Sequence, residues 1–156
     1  MDFTPKTVHL PHLGLDFEVL ADDAIIGPAI AGGSWESHET ALFRAHIQPG
    51  DRVLDLGANV GWFAVQAILA GAEVHAFEPV PGIAALARRN IERANKKGPG
   101  KGVLHQLAAS DSPGQAQIVL AAKNHGDNRV LDAGAEKPKD LAAGETIDIQ
   151  LARVDD

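Results

Sequence analysis

Cysteine is absent from the 156-residue chain, which excludes disulfides, thiolate nucleophiles and cysteine-type zinc sites. Long apolar runs are absent too, since no stretch approaches the ~18 apolar residues of a membrane span. The start, Met1-Asp2-Phe3-Thr4-Pro5-Lys6, has no basic segment followed by an apolar one, so no signal peptide is read there. A cytoplasmic protein without a membrane partner is the expectation. Basic charge is in deficit: 14 Lys and Arg stand against 21 Asp and Glu, a net charge of -7, which argues against nucleic acid as a partner. Arg88, Arg89, Arg93, Lys96, Lys97 and Lys101 do gather, and read as the solvated face of one helix and its exit loop. The seven histidines include no His-x-x-x-His pair or other ligand set, so no metal is expected.

What is present is an ordinary globular balance, 45% hydrophobic and 22% charged, enough for a core within one domain over 1–156. Residues 1–48 read as an N-terminal hairpin and helices. Pro11 and Gly14 mark a turn between two short strands in 7–20. A weak helix over 23–31 is stopped by Gly32-Gly33. Ser34 or Ser37 is positioned to cap the next helix, which ends at Pro49-Gly50. Residues 49–110 alternate strand, helix, strand, helix, strand: 52–56, 62–70, 73–77, 81–97 and 103–108. Short links in this order indicate a parallel sheet covered by helices. Residues 111–156 form a β-rich extension, with strands at 115–122 and 146–154, a polar loop at 123–129 and a flexible Ala/Gly/Lys/Pro excursion at 133–144.

The chemistry concentrates in Val53-Leu-Asp-Leu-Gly-Ala-Asn-Val-Gly61, a strand, a glycine loop and a helix start. Glycines permit a tight turn and close ligand approach. Glu78 ends the next strand, 17 positions after Gly61, near the ~20-residue offset of an acid that binds ribose hydroxyls. Ligands of open α/β sheets sit at these carboxyl ends. A pyrophosphate-binding turn favours Gly-x-Gly-x-x-Gly. Here Ala58-Asn59 replaces the central glycine, and Asp55 stands before the loop. An acid suits the cationic amino group and sulfonium of S-adenosylmethionine better than it suits a phosphate. A nicotinamide oxidoreductase is the rival reading.

Asp55-Leu-Gly-Ala-Asn-Val-Gly61, Ala76-Phe-Glu-Pro79, Asn90-Ile-Glu-Arg-Ala-Asn95 and Leu107-Ala-Ala-Ser-Asp111 with Gly114 together resemble the FkbM family of S-adenosylmethionine-dependent methyltransferases. The resemblance implies a Rossmann-like three-layer α/β sandwich, its sheet incomplete here, with hairpin-like additions at both ends. It also implies O-methylation of a hydroxyl on a small molecule or sugar. Transferred by position, Gly57, Asn59 and Gly61 would line the methionine part, Glu78 the ribose, and Ala108 and Ala109 the adenine. Asp55 would lie beneath the amino group. Glu36 or Glu39 reads as a second acid reaching that group, with helix capping as the alternative and Glu39 as the better cap. His125, in the polar loop, is the one candidate for the acceptor's base. Trp62 reads as helix packing, or as a flank of the transfer site.

In the resembling family a further strand follows a Leu-Asp-Asp segment, whereas this sequence ends at Val154-Asp155-Asp156. The expectation is a portion of a longer protein, or a chain that completes its sheet with a partner or as an oligomer. The edge beside Val53–Leu56 would then be open and apolar. A cofactor-binding module without catalysis is the second functional reading.

Overall fold

The computed structural model describes residues 2–131 and 136–155. The start of the excursion expected over 133–144 therefore lies outside the described residues. Strands β1 (Pro5–Leu10) and β2 (Leu15–Leu20) form the expected hairpin. Helix α1 (Ile26–Ala31) follows, and then α2 (Ser37–His46). Neither serine caps α2: Glu36 occupies the cap position at φ 44°, with no side-chain cap, and Ser37 is the first helical residue. Thr40 sets this turn instead. Its Oγ1 donates to the Trp35 carbonyl at 2.7 Å, and its N–H donates to the Glu36 carbonyl at 2.7 Å.

The cofactor-type unit comprises β3 (Arg52–Leu56), α3 (Trp62–Ala70), β4 (Glu73–Phe77), α4 (Pro81–Lys97) and β5 (Lys101–His105). The three strands are parallel in the order β3-β4-β5. The strand expected over 103–108 is divided. Asn95 holds both backbone groups of Gly102, its Oδ1 accepting the N–H at 2.7 Å and its Nδ2 donating to the carbonyl at 2.8 Å. This clamp and the bond from Lys101 N–H to the Ala72 carbonyl start β5 early. At the other end, Glu78 N–H donates to the His105 carbonyl at 3.1 Å. Pro79 has no N–H to continue the ladder. The chain bends away and resumes as β6 (Ala108–Ser110) in a second sheet.

That second sheet runs β6-β9-β7-β8, with β7 at Gly114–Val119, β8 at Arg129–Leu131 and β9 at Thr146–Arg153. β7 is antiparallel to β8 and β9, whereas β6 is parallel to β9. One hydrophobic cluster joins Phe17 of the hairpin, Val65 and Ile68 of α3, Ile83 and Ile91 of α4, and Ile118 and Ile149 of the second sheet.

Helices α3 and α4 send their buried residues to one face of the parallel sheet. The other face presents Leu54, Leu56 and Val103, which are 55, 54 and 44% exposed. It also carries His75 and His105, whose ring nitrogens are 3.1 Å apart. β3 has no neighbour beyond it among the described residues. Two layers of the sandwich are thus described around an incomplete sheet, with the expected open edge at β3. No helix among the described residues is long and apolar enough to cross a membrane.

Asn90 ties the hairpin to the loop. Its buried amide donates to the carbonyls of Glu18 and Val60, each at 2.8 Å, and its Oδ1 accepts from Glu18 N–H at 2.7 Å. Part of the basic cluster is engaged rather than solvated, for Arg89 and Arg93 both bond the buried Glu18 carboxylate. Burying unpaired backbone groups is costly. Asn90→Ala should therefore lower the unfolding free energy by about 3 kcal/mol in urea titrations, beyond the ~1 kcal/mol of a typical substitution.

Candidate functional site

Parallel pairing in register, Asp55 beside Ala76 and Leu56 beside Phe77, brings the ends of β3 and β4 together. The glycine loop leaves β3 there and Glu78 leaves β4. Gly57 has φ 82°, and a β-carbon on it would meet no heavy atom within 4 Å. The residue therefore supplies a left-handed turn beside open space. Asn59 is also left-handed, at φ 49°, a conformation that asparagine tolerates because its short amide bonds locally. Its Oδ1 accepts from Val60 N–H at 2.7 Å and its Nδ2 donates to the His125 carbonyl at 3.1 Å.

Every N–H of the loop is engaged within the protein. Gly57 and Ala58 both donate to the Phe77 carbonyl at 2.9 Å. Asn59 donates to Glu78 Oε2 at 3.0 Å, Val60 to the Asn59 side chain, and Gly61 to the Ala58 carbonyl at 2.8 Å. A pyrophosphate-binding turn works by aiming free N–H groups at the phosphates. This loop has none to offer between Gly57 and Gly61.

The flanks are acidic. Glu78 is buried, and its Oε1 accepts from Val80 N–H at 2.9 Å. Burial pushes its carboxyl up to about 7, against the two N–H bonds that favour the ionised form, and the nearby Asp55 charge adds to the rise. Burial likewise pushes Asp55 up to about 6, opposed by the Ala64 N–H that donates to Oδ2 at 3.0 Å. Asp55 thus also caps the start of α3 from the strand.

Two adjoining clefts open around the loop. The larger, about 380 Å³, is lined by Gly57, Asn59, Phe77, Glu78, Leu107, Ala108, Ala109, Ile118, His125 and Asn128 among others. The smaller, about 210 Å³, is lined by Trp35, Glu36, Asp55, Gly57, Ala58, Asn59, Trp62 and Phe63 among others. Gly57, Asn59 and Gly126 border both. The size and the mixed lining are those of a small-molecule site.

The structure thus brings Asp55, Gly57, Asn59, Glu78, Ala108 and Ala109 to two adjoining clefts that share Gly57 and Asn59. Gly61 and Glu39 line neither cleft. Gly61 starts α3 at φ 85°, and Glu39 is an exposed residue of the first turn of α2. Of Glu36 and Glu39, it is Glu36 that lines the smaller cleft, together with Asp55. Glu36 precedes α2 in a left-handed conformation, outside the helix that carries Glu39. His125 lies in a 3-10 turn, His125–Asp127, with its ring enclosed. Its Nε2 is 3.1 Å from Asp22 Oδ1, and its Nδ1 has no hydrogen-bond partner.

Sequence reasoning did not find the fastening of this turn. Asp23 Oδ1 caps α1 through the N–H groups of Ile25, Ile26 and Gly27, while Oδ2 accepts from His125 N–H at 3.1 Å. The Asp-x-x-Ile-Gly start of α1 was the available signal. No group of three or more His, Asp or Glu among the described residues is arranged to hold a metal.

No protein-family model matches the chain. In sequence, 76 residues (47% of the chain) are 43% identical to the 31-O-demethyl-FK506 methyltransferase FkbM of Streptomyces tacrolimicus, covering 28% of that protein. A 99-residue stretch (62% of the chain) is 32% identical to the protein-L-isoaspartate O-methyltransferase of Pyrococcus horikoshii, covering 40% of it. The chain therefore spans less than half the length of these curated relatives. In structure, 73% of it superposes on 40% of P. horikoshii TYW2, solved in complex with MeSAdo, with a TM-score of 0.53 and 18% identity. These matches establish methyltransferase homology over the shared segments and an α/β fold of the same kind.

Asp55 yields a pH-dependent prediction. A carboxyl raised by folding favours the folded state most below its unfolded value, near 4, and that advantage is lost as pH rises through about 6. Asp55→Asn cannot ionise. The variant should match the unliganded wild type near pH 4 and exceed its stability by about 1–2 kcal/mol at pH 8, in urea titrations at both pH values.

Proposed function

We propose that the chain binds S-adenosylmethionine in the joined clefts and serves methyl transfer to a hydroxyl on a small molecule or sugar. One observation carries the donor assignment. A glycine loop with all five of its N–H groups engaged, flanked by the carboxylates of Asp55 and Glu78, suits an uncharged nucleoside joined to a cation. The same arrangement repels a pyrophosphate, which weakens the nicotinamide reading. The homologous stretches of two methyltransferases support the choice.

The residues present fit this donor. Glu78 borders the larger cleft and would accept from the ribose hydroxyls, ionising more readily once they are bound. The apolar edge made by Phe77, Leu107, Ala108 and Ala109 suits adenine. Asn59, clamped between Val60 and His125, holds the loop open between the two clefts. S-adenosylmethionine supplies an electrophilic methyl on a sulfonium, and the protein's own contribution is alignment and exclusion of water. The enclosed ring of His125, engaged by Asp22, acts as a support for the Asn59 turn rather than as the acceptor's base. A donor-binding module without catalysis is the second reading, favoured by a β3 edge without a neighbour and an exposed sheet face among the described residues.

Calorimetry with S-adenosylhomocysteine and with NAD tests the assignment. The expected result is binding of the former, weakened ~10- to 100-fold by Glu78→Gln, and no binding of NAD. Binding of NAD alone would refute it. Transfer of a labelled methyl group to alcohol-bearing acceptors then separates the enzyme from the module.

A further inference from the structure

Gln66 is the one amide side chain in the otherwise apolar helix α3. It is 3% exposed, and its amide has no hydrogen-bond partner among the described residues. A buried amide left unpaired is costly, and such groups in native proteins nearly always have a partner. Gln66 borders a cleft of about 190 Å³ that shares no lining residue with the two clefts at the glycine loop. Its walls are His12 and Leu13 of the β1–β2 turn, Arg44 of α2, and Gln66, Leu69 and Ala70 of α3. None of these residues is acidic, although the chain carries a net charge of -7. The side chains of Arg44 and His12 have no ion-pair or hydrogen-bond partner among the described residues.

The walls are held in place without these three polar side chains. Trp62 Nε1 donates to Thr40 Oγ1 at 2.9 Å, and the Phe43 and Phe63 rings meet edge to face at 5.3 Å. Arg44 and Gln66 stand four residues on from Thr40 and Trp62, one helical turn beyond that braced contact. The β1–β2 turn is fixed by the N–H groups of Leu13 and Gly14, which donate to the Leu10 carbonyl at 3.0 and 2.8 Å, and by the buried Leu13 side chain. Packing accounts for the walls. It does not account for an amide, a guanidinium and an imidazole that border one space and bond to nothing in the protein.

We propose that this cleft binds a small carboxylate with a short apolar body. The planar Arg44 fork matches a carboxylate through two parallel bonds. The Gln66 amide and the His12 ring add donors beside it, and Leu13, Leu69 and Ala70 receive the apolar body. Phosphate is less suited. The last turn of α3 supplies two of the walls, and its partial negative charge opposes a dianion more than a monoanion. The cleft lies at the opposite end of α3 from the glycine loop, so the proposal does not depend on the donor reading.

The test is a nitrogen-15 NMR titration of the whole chain that follows the Gln66 side-chain amide and the Leu13 backbone amide. The probes are isovalerate, isovaleramide and inorganic phosphate. Isovalerate should shift both signals saturably, and the uncharged amide and phosphate should bind at least ~10-fold more weakly. Acetyl-leucine distinguishes the two sources of such a group: tighter binding than isovalerate assigns the site to a peptide C-terminus, and weaker binding to a free acid. Arg44→Gln should weaken isovalerate about tenfold, the size of one charge-assisted contact. Gln66→Met keeps the volume and removes the amide. It should weaken isovalerate about fivefold, followed at Leu13, while the unliganded variant unfolds at a temperature no lower than the wild type. That pairing separates a lost contact from a damaged fold. No saturable shift of the Gln66 amide with isovalerate, phosphate binding as tight as isovalerate, or unchanged affinity in both variants overturns the proposal.

Discussion

The Glu78 carboxylate is the point on which the site depends. It lies one residue past β4, where Pro79 stops the ladder, and its two oxygens take Asn59 N–H from the loop and Val80 N–H from the start of α4. One side chain therefore sets the loop against the next helix. The geometry that shapes the cleft also buries the charge, and burial makes that charge costly until a ligand supplies donors. Asp55 repeats the pattern nine residues upstream of Ala64, capping α3 while facing the smaller cleft. Folding disfavours the ionised form of both carboxyls relative to a free chain, a familiar exchange of stability for binding.

The second sheet gives this site its roof. Ala108 and Ala109 leave the parallel sheet to enter it, and the turn at His125 is fastened to Asp22, Asp23 and Asn59. The N-terminal segment, the loop and the C-terminal β-structure thus meet around one opening. Across the sheet, the exposed Leu54, Leu56 and Val103 and the free edge of β3 remain without a described partner.

The strand-loop-helix core was legible in the sequence because its signals are local. Apolar runs, Gly57, Gly61, Pro81 and the offset of Glu78 each act within a few residues of where they are read. The division of 103–108 was not legible, since it follows from Pro79 just past the neighbouring strand and from the Asn95 clamp on Gly102. Asn90 was visible as part of a motif, but its bonds reach Glu18 and Val60, far away in the chain. Glu36 and Glu39 lie three positions apart, and their sequence context does not distinguish them, although only Glu36 of the two borders the cleft. Position within an element was readable; contact between elements was not.

The most direct test of the account is a carbon-detected NMR titration of the Asp55 and Glu78 carboxyl groups, with and without S-adenosylhomocysteine. The account predicts apparent values near 6 and 7 in the free protein, both falling toward the ordinary carboxylate range near 4 when the ligand is bound. Ordinary values in the free protein, or values unmoved by saturating ligand, would contradict it.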